Sequence, residues 1–294
     1  MKKTLALLLV LMITFACPAA AGQVKVMTSF YPMYIFALNV FDGIDEIAVE
    51  CMTAPQTGCL HDYQLVVNDM MKLAESDLFV VCGAGMEGYL PDVKAQFANL
   101  PIVDCSEGIE LLEECADEHE HDHEHSYNAH TWLDVDHAIT IVGTIAQAGA
   151  RQFPQHAEKI LSNASAYQAR LLTLRDELSQ QLKDIAGQRI VTFHEAFPYF
   201  AAAFDLEIAA VITQDHDEAL SPAQIASVIR TVIENGVPPL FTEPQYASSA
   251  AQTIALETGA KIYELDPLVT GEAELTAYEN GMRKNAQTLL EAFK

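Results

Sequence analysis

The chain has 294 residues, of which 16 are Lys or Arg and 41 are Asp or Glu, so its formal net charge is −25. Binding of nucleic acid depends on clustered basic side chains that neutralise phosphates, so this charge argues against a nucleic-acid partner. Half of the residues are hydrophobic and 19% are charged, which is typical of a folded chain with a large core, and the length predicts two lobes.

The N-terminus has the order of an export signal. Two lysines precede an apolar run from Leu5 to Phe15, and three small residues ending at Ala21 follow it. The run is shorter than the roughly 20 residues that a membrane-spanning helix needs. We therefore expect residues 1–21 to be a cleaved signal peptide, and the mature chain to lie in a periplasm or at the outer face of the cytoplasmic membrane. The residues around Cys17 also resemble a lipoprotein signal, so lipidation at Cys17 is an alternative.

Short β-rich runs alternate with longer helical patterns through the mature chain. This alternation is typical of βαβ units and predicts an α/β fold with parallel sheets. We place an N-terminal α/β lobe at residues 22–153 and a C-terminal α/β lobe at residues 187–294. The predicted strands are Val24 to Thr28, Ile47 to Met52, Leu78 to Val81, Ile102 to Val103, Ile190 to Phe193, Ile208 to Ile212, Leu240 to Thr242 and Ile262 to Leu265.

One long amphipathic helix is predicted between the two halves. Apolar residues recur at spacings of three and four from Ile160 to Ile185, and no Gly or Pro occurs between Gln155 and Ala186. At 1.5 Å per residue this helix would be roughly 45 Å long, enough to run beside both lobes. We assign residues 154–186 to a helix that connects the lobes. An ordinary packed helix within one domain is the alternative.

A run rich in histidine and acid occupies residues 117–125. Imidazole and carboxylate groups both bind borderline divalent metals, so this run could gather Zn²⁺, Cu²⁺ or Ni²⁺ at modest affinity from a loop. A solvated charged loop without a specific role is the alternative. Its histidines are His119, His121, His123 and His125.

Four other residues follow predicted strands directly or after a short loop. His61 and His130 lie in the first half of the chain, and His194 and Asp266 lie in the second half. Ligands of open α/β sheets bind outside the carboxyl ends of the strands, so two candidates from each half fit a site between two lobes. Three imidazoles and one carboxylate suit four-coordinate Zn²⁺.

Two acidic residues are candidates for orienting the metal ligands of such a site. Asp134 lies four residues after His130, and Glu243 directly follows a predicted strand. Either could orient a metal-binding imidazole by accepting its second N–H. A helix cap or a solvated strand end is the alternative.

Five cysteines beyond Cys17 make an odd set, so at least one of them stays unpaired within the chain. A bridge between Cys51 and Cys59 is possible. The cysteines concerned are Cys51, Cys59, Cys82, Cys105 and Cys115.

The motifs resemble the extracytoplasmic solute-binding proteins of zinc and manganese ABC transporters over nearly the whole mature chain. The first matching stretch corresponds to the family's first strand-to-helix turn. Later stretches correspond to the segments that carry the metal ligands, in the same order, and to a Phe-x-Glu-Pro-Gln motif. The stretches that carry the resemblance are Thr28–Met33, Thr57–Tyr63, His130–Asp134, Phe193–Phe200, Phe241–Gln245 and Leu265–Leu268.

The resemblance implies two small α/β lobes joined by one long, rigid helix, with the metal buried in the cleft between them. It also implies that His61, His130, His194 and Asp266 are the ligands, that Zn²⁺ is the transported ligand, and that a membrane permease and an ATPase are the partners. Manganese-selective members usually have a carboxylate where His194 stands, so His194 favours zinc. Cys59 and Leu60 depart from the acidic residue and proline that usually precede the first ligand. We expect a monomer without enzymatic activity.

Two other functions are alternatives. A manganese receptor or adhesin would use the same scaffold. An exported zinc hydrolase would use Glu195 or Glu243 as a base at an open metal position, but the His-Glu-x-x-His helix that such enzymes commonly carry is absent from the sequence.

Overall fold

The computed structural model describes residues 23–53, 63–113, 127–212, 221–236, 238–245 and 249–294. Several predicted features lie outside these ranges: the signal segment with Cys17, the first candidate ligand His61, and the run of residues 117–125. Among the helices inside the ranges, none combines the length and the apolar character needed to cross a membrane.

Eight strands and nine α-helices occur in the described ranges. The strands are β1 (Val24–Thr28), β2 (Ile47–Cys51), β3 (Leu78–Val81), β4 (Ile102–Asp104), β5 (Arg189–Thr192), β6 (Glu207–Val211), β7 (Leu240–Thr242) and β8 (Ile262–Glu264). The helices are α1 (Tyr31–Val40), α2 (Val67–Ala74), α3 (Leu90–Gln96), α4 (Val135–Gln152), α5 (Ala157–Leu182), α6 (Pro198–Ala203), α7 (Pro222–Glu234), α8 (Ser249–Thr258) and α9 (Ala277–Ala292).

The strands form two parallel sheets of four, one in each half of the chain. Their orders are β2-β1-β3-β4 and β6-β5-β7-β8, so the two sheets share one topology. The central strands are apolar because helices cover both faces of a parallel sheet, and all four residues of β3 are buried. The predicted fold class, two parallel-sheet lobes joined by a long helix, is confirmed.

Helix α5 is the long helix predicted from the apolar spacing. A 3-10 turn at Pro154–His156 precedes it and another at Lys183–Ile185 follows it. It packs against α4, α1 and α9, and so contacts elements from both ends of the chain. Its buried side chains keep the three-and-four spacing: Ile160, Ala164, Tyr167, Leu171, Leu174, Leu178 and Leu182.

The largest hydrophobic cluster is continuous between the two lobes. It extends from Val26 in β1, through α4 and α5, to Phe200 in α6 and Leu289 in α9. Smaller clusters fill the outer side of each sheet, for example around Phe79 in the first lobe. The lobes therefore share one core rather than meeting at a polar interface.

Three cysteines lie within the described ranges. Cys82 and Cys105 are buried at the ends of β3 and β4, and Cys51 is half-buried at the end of β2. Burial raises the pKa of the Cys105 thiol well above its usual value, so this group stays protonated and unreactive. The suggested partner of Cys51, Cys59, lies outside the described residues.

The shared topology creates one crevice in each sheet. In the second sheet, β5 lies between β6 and β7, so the connections that leave β5 and β7 run to opposite sides. Crevices at such switch points, outside the carboxyl ends of the strands, are where α/β sheets bind ligands. The segments after β5 and β7 are therefore the first place to look for a site.

Candidate metal site between the lobes

His194 lies at the switch point of the second sheet. It follows β5 by two residues, and Glu243 follows the neighbouring strand β7. His194 Nδ1 lies 2.8 Å from Glu243 Oε1. Since a carboxylate oxygen accepts, His194 donates from Nδ1, and its lone pair is then on Nε2. Glu243 is buried, so the predicted pairing of an acidic side chain with an imidazole is present at this position.

His130 is held by an amide side chain rather than by a carboxylate. It is only 1% exposed and stands at the start of the 3-10 helix Thr131–Leu133. Asn128 Oδ1 accepts from the backbone N–H of His130 at 3.0 Å and lies 3.2 Å from His130 Nδ1. The amide orientation is fixed because its oxygen faces a backbone donor, so Nδ1 must also donate. The lone pair of His130 is therefore on Nε2 as well.

The two imidazoles meet although they belong to different lobes. The ring centroids of His130 and His194 are 4.9 Å apart and the rings are almost perpendicular, at 87°. Trp132 also packs against His130, with ring centroids 5.1 Å apart. The tryptophan is fully buried and shields this part of the site from water.

Asp266 lies nearby, two residues after β8. Its Oδ1 accepts from the backbone N–H of Leu268 at 2.8 Å, and its main chain is fixed by two hydrogen bonds with Asn285. Burial raises the pKa of the Asp266 carboxyl; the Leu268 N–H lowers it, and the charge of Glu243 raises it further. A carboxyl in this state is receptive to a positive charge, because a bound cation would offset the cost of burying the carboxylate.

A cavity of about 230 Å³ adjoins Asp266. Its walls come from α1 of the first lobe and from the segment that leads into α9. Tyr31 and Glu272 are among the lining residues, and the Tyr31 hydroxyl donates to the backbone oxygen of Glu272 at 2.7 Å. Asp266 therefore lies at the boundary between the lobes, as the sequence predicts.

Asp134 has a different contact from the one suggested for a partner of an imidazole. Its carboxylate accepts from the backbone N–H of Asp136 at 2.7 Å and caps the N-terminus of α4. This is the alternative that the sequence left open. The side chain beside His130 Nδ1 is that of Asn128, which the sequence analysis did not single out.

A local signal for Asn128 was present in the sequence. Asn and Asp side chains commonly accept from the backbone N–H two residues further along, and Asn128 stands two residues before His130. The second contact of Asn128, with the backbone oxygen of Glu195, joins segments distant in sequence. This contact could be identified only once the fold was known.

The described part of the chain supplies only part of a complete metal site. Within these ranges, no three His, Cys, Asp or Glu side chains gather into a group that could hold an ion. His61 and the four histidines of residues 117–125 lie outside the ranges. What is observed is a pair of imidazoles in contact, a carboxylate hydrogen-bonded to one of them, and Asp266, whose pKa is raised in part by the charge of that carboxylate.

The family model described as "Zinc-uptake complex component A periplasmic", ZnuA, matches residues 26–292. The chain belongs to this family. The resemblance drawn from the motifs is thereby confirmed, and the match to the ZnuA family includes both sheets and the long helix.

The chain is also similar to individual known proteins, which are distant in sequence. The zinc-binding protein AdcA of Streptococcus pyogenes is 30% identical over 92% of this chain and 56% of its own length, so the chain spans about half of that relative. The high-affinity zinc uptake system protein ZnuA of Haemophilus ducreyi is 26% identical, with 91% of this chain and 90% of that protein covered. The solute-binding protein FpvC of Pseudomonas aeruginosa, solved with Mn²⁺, is 26% identical with a TM-score of 0.82, covering 92% of this chain and 98% of its own.

Proposed function

We propose that this protein is an extracytoplasmic receptor that captures Zn²⁺ in the cleft between its lobes and delivers it to an ABC-type importer. His61, His130, His194 and Asp266 would bind the ion. The permease and the ATPase of the importer would be the partners, and the receptor would act as a monomer. Zn²⁺ is the cargo, and no reaction is catalysed.

The observation that carries the proposal is the contact between His130 and His194. The two imidazoles come from different lobes, and each directs Nδ1 to an oxygen acceptor of the protein. Outer acceptors of this kind fix the tautomer and ring orientation of metal-binding histidines. Two imidazoles oriented in this way and a nearby carboxylate are the donor types that Zn²⁺ prefers.

The same donors favour zinc over manganese. Imidazole suits Zn²⁺, whereas Mn²⁺ prefers carboxylate and carbonyl oxygens. The candidate set has more imidazoles than carboxylates, and Glu243 is turned toward His194 Nδ1. A manganese receptor is the second candidate because FpvC, of similar fold, was solved with Mn²⁺.

We further propose the domain limits and the location. Residues 1–21 would be the export signal, with cleavage near Ala21 or lipidation at Cys17. The N-terminal lobe would be residues 22–153, the connecting helix residues 154–186, and the C-terminal lobe residues 187–294. His119, His121, His123 and His125 would form an auxiliary, weaker metal-binding loop.

The test is calorimetric titration of the chelator-stripped mature protein with Zn²⁺ and with Mn²⁺. The wild type should bind one Zn²⁺ tightly even in excess Mn²⁺. His194→Ala should weaken this binding by at least 100-fold, because one of the donors and its orienting pair with Glu243 are removed together. Deletion of residues 117–125 should lower the number of ions bound and leave the tight site intact.

His156→Ala is the matched control, because His156 lies in the 3-10 turn before α5, far along the chain from the candidate donors. It also removes one imidazole and should leave the tight Zn²⁺ site unchanged. Equal or preferred binding of Mn²⁺, or a His194→Ala protein that binds like the wild type, would contradict the proposal.

A further inference from the structure

Beyond these ligands, we propose that residues 128–132 form a two-ended clamp that fixes His130 relative to both ligand-bearing segments of the second lobe. Asn128 and Trp132 are the ends of the clamp, and each is a positioning residue for the metal site. The expected effect of the clamp on metal binding rests on the proposed function. The clamp itself is inferred from hydrogen bonds that cross between the lobes.

The Asn128 end joins the candidate ligands His130 and His194. Asn128 Oδ1 faces the backbone N–H and Nδ1 of His130, and Asn128 Nδ2 donates to the backbone oxygen of Glu195 at 2.6 Å. Glu195 directly follows His194. One amide group therefore orients the first imidazole and holds the main chain that carries the second.

The Trp132 end joins His130 to Asp266. Trp132 Nε1–H donates to the backbone oxygen of Pro267 at 2.8 Å, and Pro267 directly follows Asp266. The indole also packs against the His130 ring, with centroids 5.1 Å apart. The two ends are therefore equivalent: each lies two residues from His130 and binds the carbonyl of the residue after a candidate ligand.

Two tyrosine hydroxyls of the second lobe donate hydrogen bonds to backbone oxygens of residues 128–132. Tyr199 donates to the backbone oxygen of Asn128, and Tyr278 donates to the backbone oxygen of Trp132, both at 2.8 Å. Each clamp residue thus donates one hydrogen bond across the lobe boundary and accepts one. Asn128, Trp132, Tyr199 and Tyr278 are all at least 95% buried.

Burial makes this arrangement stiff. A buried donor or acceptor that loses its partner keeps the full penalty of having left water, so the four bonds cannot open one at a time without cost. Donors held in a preformed geometry bind a metal ion more tightly than donors that must first be ordered. We therefore expect the clamp to set the affinity and the release rate of Zn²⁺.

The first test measures the tautomer of His130 by ¹⁵N NMR of the imidazole nitrogens in metal-free protein at pH 8. In the wild type, Nδ1 should carry the proton. Asn128→Leu should lose this preference because leucine has no acceptor, and Asn128→Asp should restore it because a carboxylate oxygen accepts from Nδ1. A general loss of packing would not be reversed by Asn128→Asp.

The second test measures the Zn²⁺ dissociation constant and release rate by competition with a chelator. Asn128→Leu should weaken binding about 10- to 100-fold, the range found when a group that supports a metal ligand is lost. Tyr199→Phe and Tyr278→Phe should each speed release several-fold. They also provide the test if Asn128→Leu does not fold.

Asn39→Leu is the matched control. It too replaces a buried amide that donates to a carbonyl of the second lobe, that of Leu275, but this carbonyl is not next to a candidate ligand. Its release rate should stay within twofold of the wild type. The clamp is refuted if Asn39→Leu speeds release as much as Asn128→Leu, or if Asn128→Leu keeps both the Nδ1 proton and wild-type binding. If the wild type binds no Zn²⁺, the proposed function fails, and the His130 tautomer alone decides the clamp.

Discussion

Glu87 is a buried carboxyl at the switch point of the first sheet. It follows β3, and its two oxygens accept from the backbone N–H groups of Cys82 at 2.8 Å and of Gly83 at 3.0 Å. Burial raises the pKa of Glu87 to about 7, against the effect of these donors, and the charge of Asp104 raises it further.

The raised pKa of Glu87 predicts a loss of stability with rising pH. The folded chain binds this proton more tightly than the unfolded chain, so its contribution is full below about pH 4.5 and is lost as the pH rises through about 7. At about 1.4 kcal/mol for each pKa unit, the change is on the order of 3 kcal/mol. In urea unfolding of zinc-free protein, the wild type should lose about that much stability relative to Glu87→Gln between pH 5 and pH 8.5. A difference between the two proteins that does not change with pH would contradict this account.

The sequence singled out some of the residues that meet in the structure and missed others for a physical reason. His194, Glu243 and Asp266 follow strands, and the strand pattern alone brings them to one edge of a sheet. The Asn128 bond to Glu195 joins residues 67 positions apart, across a boundary that no local pattern encodes. The partner of His130 was therefore sought at Asp134, which is four residues away and faces its own helix.

Secondary structure was predictable because each element satisfies a local rule. All eight predicted strands are present, and no strand end is shifted by more than one residue, as where Phe193 falls just after β5. The helix α5 followed from its apolar stripe and the absence of Gly and Pro. Strand order did not follow, because exchanging two buried parallel strands leaves the hydrophobic pattern unchanged.

The sequence suggested two roles for Asp134, a helix cap or an acceptor for a metal-binding imidazole, and mutation can distinguish them. As the N-cap of α4, it satisfies a backbone N–H that has no partner within the helix. Asp134→Ala should therefore lower the free energy of unfolding by about 1 kcal/mol, and Asp134→Ser should lower it less, since Ser also caps helices. Both variants should bind Zn²⁺ within twofold of the wild type in a chelator competition. A tenfold loss of affinity in Asp134→Ala would instead give Asp134 a part in the metal site.

At the scale of the whole molecule, polar contacts between helices reinforce the shared core. Arg170 in α5 donates from Nη2 to Asn39 Oδ1 in α1 and to the backbone oxygen of Leu275, and from Nε to Glu279 Oε1 in α9. One guanidinium on the long helix thus joins the first helix to the last. Together with the clamp at residues 128–132, it joins the two lobes.

Since the hydrophobic core and these contacts span both lobes, the zinc-free protein should unfold in one cooperative step. Trp132, the only tryptophan, reports on the lobe boundary, and far-UV circular dichroism reports on all helices. Their urea transitions should coincide. Leu171→Ala, in the buried stripe of α5, should move both midpoints together and cost about 2 to 5 kcal/mol, because it leaves a cavity where α5 faces the core. Two separate transitions would mean that each lobe folds alone, and that the long helix transmits no stability between them.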